Sequence, residues 1–152
     1  MTNRRQFLIL PLAALGATLL PRQGFAASAP VFNTDGVAIH GYDPVGYFTE
    51  GTAVDGSDAH MLKWMGSMWR FASAENMAKF EGDPRGYAPQ YGGYCAFAMA
   101  QGSIATTVPK AWTIEGGKLY LNYSKGVRRR WKKDIPGYVA AADMHWPGVL
   151  DA

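Results

Sequence analysis

The chain is poor in cysteine: Cys95 is its single thiol, so no disulfide can form within it. A lone cysteine in an oxidising compartment must be buried, bound to metal, or open to pairing with another chain. Long apolar runs are also missing. The longest, Phe7 to Leu20, is broken by Pro11, Gly16 and Thr18 and falls short of the ~20 residues of a membrane span. No Ser/His/Asp constellation, phosphate loop, His-Glu-x-x-His zinc motif or dinucleotide fingerprint is present. Catalysis therefore has only Cys95 to rest on, and a nucleophilic thiol needs a histidine within reach that sequence cannot place. The absence of repeats and low-complexity stretches excludes a solenoid and argues against a second domain.

The N-terminus carries the strongest local signal. Asn3-Arg4-Arg5-Gln6-Phe7-Leu8 pairs two arginines with an apolar start, and Gly24-Phe25-Ala26-Ala27 offers a small-residue cleavage site. This pattern predicts a secretory signal over residues 1–26, cut after Ala26. The twin arginine points to the Tat route, which carries folded cargo, and so to the periplasm. After cleavage no stable membrane span is expected. The signal holds Arg4, Arg5 and Arg22 and no acid, so the 15 basic residues of the full chain fall to 12, against 12 acidic ones. A neutral mature domain gives no electrostatic case for nucleic acid or an anionic membrane.

Residues 27–37 are small and polar and read as a flexible leader. One domain is expected over 38–148. Asp43-Pro44 opens a short helix to about Thr49. Leu62–Met65 and Met68–Ala72 alternate as strands, with Gly66-Ser67 as a type II′ turn. Ser73 caps a helix ended by Gly82, and Asp83-Pro84 starts another turn of helix. Residues 90–102 are apolar on all sides and lean to helix. Trp112–Glu115 and Lys118–Tyr123 flank Gly116-Gly117 as the clearest hairpin. Ser124 caps a helix with Val127, Trp131 and Ile135 on one face, ended by Pro136, and a last helix starts near Gly137. Two hairpins and several short helices in mixed order predict an α+β fold.

Three stretches then resemble a known family. Tyr42-Asp43-Pro44-Val45-Gly46-Tyr47-Phe48, Trp69-Arg70-Phe71-Ala72-Ser73-Ala74-Glu75-Asn76, and Phe80 through Ala96 with its Gly82-Asp83-Pro84-Arg85-Gly86-Tyr87 core are similar to the YHS domain family. More narrowly they resemble its exported, single-cysteine branch, over about residues 38–148. The resemblance implies kinship with small metal-binding modules that accompany heavy-metal transporters and hold soft metals on thiolates. Those modules carry cysteines where this chain has Gly46, Ala72 and Asn76, so a metal role here needs other ligands.

Cys95, Met99 and His40 are the candidate set. Cys95 and Met99 are spaced four apart, as on one helical face, and with His40 would suit copper, or zinc. A second soft-ligand cluster is His60, Met61, Met65 and Met68. The expected function is a non-catalytic periplasmic module that binds copper for metal handling, with a metal-handling protein as partner. The alternative is a metal-free interaction or small-ligand module whose aromatic pocket is walled by Tyr91, Tyr94 and Phe97, with Cys95 as a core residue. A reactive Cys95 thiol is the enzymatic alternative. The run Arg128-Arg129-Arg130 with Lys132-Lys133 reads as the solvated face of a helix.

Overall fold

The computed structural model describes residues 26–152; the expected signal lies outside the described residues except for Ala26. The domain is α+β, as its sequence predicts, with a four-stranded and a two-stranded sheet among short helices. No described helix is long and apolar enough to cross a membrane.

The larger sheet has strand order β1-β2-β4-β3. β1 (Asn33–Thr34) and β2 (Val37–Ala38) form a small hairpin on Asp35-Gly36, whose φ angles of 51° and 82° meet the demand of a type I′ turn. β2 runs parallel to β4 (Ser67–Phe71), and β4 is antiparallel to β3 (Ser57–Trp64). The turn joining β3 to β4 is Met65-Gly66, at φ 50° and 78°, one residue earlier than the expected Gly66-Ser67. Ser67 belongs to the strand: it is buried, and its hydroxyl accepts from Asn33 Nδ2 at 3.2 Å. Glycine at the second turn position suits type I′, and Met65 adopts the other left-handed conformation.

Four of the six described α-helices start at a side-chain cap; the two that begin at Gly46 and Ala96 do not. The Ser73 hydroxyl accepts from Asn76 N to open α2 (Ala74–Gly82), after the short α1 (Gly46–Thr49). Asp83 caps α3 (Pro84–Tyr87). Only Ala96–Met99 of the expected 90–102 helix is α-helical, and forms α4. A 3-10 turn over Gln90–Gly93 precedes it, with Tyr91 and Gly92 in the left-handed region. The second hairpin is β5 (Trp112–Glu115) and β6 (Lys118–Leu121), as expected. Ser124 caps α5 (Lys125–Trp131), which ends four residues before the expected Ile135. Asp134 caps α6 (Ile135–His145) instead, so Pro136 sits in a first turn, where a missing N–H costs nothing.

Two aromatic clusters make the core. The first gathers Trp69, Phe71, Phe80 and Tyr47 against the larger sheet; the second gathers Tyr91, Met99, Tyr120 and Trp131 against α6. β6 stands between them, with Leu119 and Leu121 in the first and Tyr120 in the second, as strand alternation dictates. The stretch expected as a flexible leader is fastened across this seam. Ser28 N donates to Leu150 O at 2.8 Å, Tyr94 Oη to Ala29 O at 2.8 Å, and Phe32 N to Gly92 O at 2.9 Å. Val31 and Phe32 are buried, and their burial offsets the entropy of ordering the small residues around them.

Candidate functional site

Asp43 is fully buried and its carboxylate accepts four N–H groups. Oδ1 takes Val45 N at 2.8 Å and Gly46 N at 3.2 Å. Oδ2 takes Ala72 N at 2.9 Å and Asn76 Nδ2 at 2.7 Å. The carboxylate thus ties the start of α1 to the end of β4 and the first turn of α2. Gly46, Ala72 and Asn76, the positions at which the resemblance would imply cysteine, here meet on one anion. The residues present do not fit a thiolate metal site. None supplies sulfur, and a Cβ built on Gly46 would stand 2.9 Å from Val54 Cβ, closer than side chains pack. Among the described residues no three His, Cys, Asp or Glu side chains gather to hold a metal ion.

The Cys95 set is split among separate partners. Cys95 is 1 % exposed and precedes α4. Its Sγ accepts from Tyr123 N at 3.3 Å and faces Asn122 Oδ1 at 3.6 Å, so the thiol hydrogen points at the amide oxygen. Phe97 N donates to the same oxygen at 3.3 Å, which fixes the amide's orientation. The buried Asn122 Nδ2 then has no partner. Met99 closes α4 by donating its N–H to Cys95 O and is fully buried in the second cluster. His40 is exposed at φ 58°, its Nε2 2.8 Å from Thr107 O. A carbonyl only accepts, so Nε2 carries a hydrogen and donates it. Cys95 N donates to Ala105 O, so Cys95 and His40 fasten to one segment, two residues apart.

The second soft-ligand cluster spreads along the β3–β4 hairpin. Met61 pairs with Arg70 and Met68 with Lys63, which puts both methionines on the outer face of the sheet. His60 falls in the irregular stretch between Ser57 and Met61, and Met65 is exposed in the turn. The basic run is not wholly solvated: Arg128 Nε donates to Thr113 Oγ1 at 2.9 Å, and its guanidinium lies 6.0 Å from the Trp112 ring centre.

A cavity of about 330 Å³ opens where the two aromatic clusters meet. Trp64 and Trp69 form one wall, with ring centres 5.8 Å apart and Trp69 Nε1 donating to Trp64 O at 3.1 Å. Tyr91 and Trp146 contribute from the other cluster, with ring centres 6.2 Å apart. Tyr91 is pinned by its hydroxyl, which donates to Asp143 Oδ1 at 2.9 Å. Burial, and then that carboxylate, push its phenol above the ordinary tyrosine range. Arg85 of α3 and Lys118 of β6 are the cations of the lining, which holds no acid. Of the aromatic residues expected to wall a pocket, Tyr91 lines this cavity. Tyr94 binds the 28–32 segment, and Phe97 packs on Tyr138 at 5.2 Å. Sequence reasoning missed Trp64, Trp69, Trp146, Arg85 and Lys118, which come from separate elements.

Compared with protein-family models, curated proteins and solved structures, the chain finds no match.

Proposed function

We propose that this chain is an exported, non-catalytic binding module of YHS type that works in the periplasm and seats a small ligand between Trp64 and Trp69 on one side and Tyr91 and Trp146 on the other. The cavity at the cluster seam carries this reading. Ligand sites are concave and favour junctions between packed units, and this cavity combines both properties with aromatic walls and a few polar side chains. The YHS assignment is supported by the three cysteine-equivalent positions, Gly46, Ala72 and Asn76, which converge on Asp43 although they are far apart in sequence. Export rests on the twin-arginine stretch. The non-catalytic reading rests on Cys95, whose buried sulfur is already bonded from two sides.

The test of the ligand seat is a screen of small aromatic and aliphatic compounds by tryptophan fluorescence and thermal shift. Binders should quench fluorescence and raise Tm by a few degrees, and Gln90→Trp, which fills the half-buried mouth, should abolish both effects. A screen without binders, or binding indifferent to Gln90→Trp, overturns the reading. Export is tested by fractionating cells that make Arg4→Lys/Arg5→Lys, in which the protein should stay in the cytoplasm.

A soft-metal role for Cys95 is the second reading. It is favoured by the attachment of Cys95 and His40 to the 105–107 segment. The ligand seat ranks first because the cavity is open, whereas the Cys95 sulfur is enclosed. Elemental analysis of protein loaded with Cu(I) or Zn(II) decides: one retained metal per chain, lost in Cys95→Ala, restores the metal reading, and no retained metal ends it.

A further inference from the structure

We propose that the ligand held at this seam is a flat monoanionic carboxylate of about a dozen non-hydrogen atoms. The inference rests on the ligand-seat reading and deepens it by naming the ligand's charge, shape and size.

The charge follows from the lining. Arg85 and Lys118 reach the cavity from α3 and from the start of β6, and no carboxylate lines it. The ion pairs among the described residues are Arg70–Asp58 and Lys79–Glu75, so neither cation has an acidic partner. Glu115, opposite Lys118 in the β5–β6 register, does not reach it as an ion pair. What marks Arg85 and Lys118 is that both line one cavity, on separate elements, with no acid beside them there. Aromatic walls alone would also suit an organic cation, through the negative faces of their rings. Arg85 and Lys118 repel such a guest and attract an anion.

A carboxylate fits better than a spherical anion. The planar guanidinium of Arg85 matches two carboxylate oxygens at once, and Lys118 adds a point charge. Gln90 also lines the cavity, and its side-chain amide adds an uncharged hydrogen-bonding group. The body of the ligand is set by the indoles and the phenol. Trp64 and Trp69 on one side and Tyr91 and Trp146 on the other line the cavity, so an aromatic guest finds ring faces and edges on both. The size follows from volume. The cavity of about 330 Å³ stands at the small end of ligand sites, which span roughly 300–1,000 Å³. A fused two-ring acid is a guest of that scale.

The test is isothermal titration calorimetry of the purified full chain with three ligands of one shape: 2-naphthoate, its neutral amide 2-naphthamide, and the cation 2-naphthylmethylammonium. The carboxylate should bind about tenfold more tightly than the amide, the scale of one charge-assisted hydrogen bond, and the cation more weakly than either. In Arg85→Gln and Lys118→Gln the carboxylate's advantage should shrink to no more than about threefold, and rising salt should erode it in the unsubstituted protein. Both side chains are exposed, so these variants should fold, and circular dichroism checks that. Equal binding of carboxylate and amide, or tightest binding of the cation, overturns the anion inference and leaves the ligand seat standing. No binding of any of the three at millimolar concentration overturns the inference, and with no binder in the wider screen it removes the seat as well.

Discussion

Asp43 Oδ2 accepts the side-chain amide of Asn76 at 2.7 Å, across 33 positions of sequence, and the same oxygen takes Ala72 N at 2.9 Å. Under the proposed YHS assignment, Ala72 and Asn76 stand where sulfur ligands would be. Here a fixed anion and its N–H donors join the elements that a shared ion would otherwise join. Asp43→Ala leaves three backbone N–H groups and one side-chain amide without their acceptor in a buried place. The expected loss of stability is on the order of 3 kcal/mol, read from the urea midpoint at unchanged slope.

Placing sulfur at Gly46, the third such position under that assignment, should fail. Gly46 packs so closely on Val54 that a Cβ would stand 2.9 Å from Val54 Cβ and Cγ2. Gly46→Cys should cost about 1–3 kcal/mol, as overpacking does. Gly46→Cys/Ala72→Cys/Asn76→Cys is expected to retain no more Zn(II) than the unsubstituted protein, as measured by elemental analysis. A triple variant that folds and holds one metal would show that Val54 can yield.

Local chemistry made much of the fold legible. Ser73 and Ser124 cap the helices their positions foretold, and Gly116-Gly117 turns the hairpin expected of it. Other signals were present but misread. Asp35-Gly36 is a strong hairpin dipeptide, yet strands of two residues are too short to show alternation. Pro136 serves equally to end one helix or to sit in the first turn of the next, and Asp134 decides for the second. The site was the least legible part. Tyr91 was singled out, but its partners in the cavity come from β3, β4, α3, β6 and the residue after α6, and no spacing rule connects them. The Asp43 junction is of the same kind: a good N-cap residue by local rules, whose two remaining hydrogen bonds come from elsewhere in the chain.

Cys95 is predicted to be an inert thiol in the folded protein. It is 1 % exposed, its hydrogen faces Asn122 Oδ1, and its lone pair takes Tyr123 N. Alkylation must wait for local opening, so iodoacetamide should label it at least about a hundredfold more slowly in buffer than in denaturant. A rate in buffer close to that of the unfolded chain would place the sulfur at the surface and reopen the enzymatic reading.

Alkali should unfold this protein through its buried phenols. Burial raises Tyr47 well above the ordinary tyrosine range, and burial together with the hydrogen bond to Asp143 does the same for Tyr91. In the unfolded chain both ionise near pH ~10. Above that pH the folded state holds more protons than the unfolded one, so the stability these groups contribute is complete below pH ~10 and is lost as pH rises further. Each phenol should add a slope of up to about 1.4 kcal/mol per pH unit. Urea midpoints between pH 8 and pH 11 read this out, and Tyr91→Phe should flatten the decline by one tyrosine's share.

Gly92 couples the fold to the ligand seat. Its φ is 62°, its carbonyl accepts from Phe32 N at 2.9 Å, and a Cβ there would collide with the Pro30 carbonyl and stand 3.1 Å from the Trp146 ring. Pro30, Gly92 and Trp146 all line the cavity, so one added methyl group pushes two of its edges at once. Gly92→Ala should therefore cost about 2–3 kcal/mol, combining left-handed strain with the clash. It should also weaken ligand binding in molecules that remain folded, because the 28–32 segment and Trp146 cannot both keep their places. Calorimetry at a temperature where circular dichroism shows the variant native separates the two effects. Ligand affinity unchanged in the folded variant would mean that the Pro30 edge moves freely and takes no part in holding the guest.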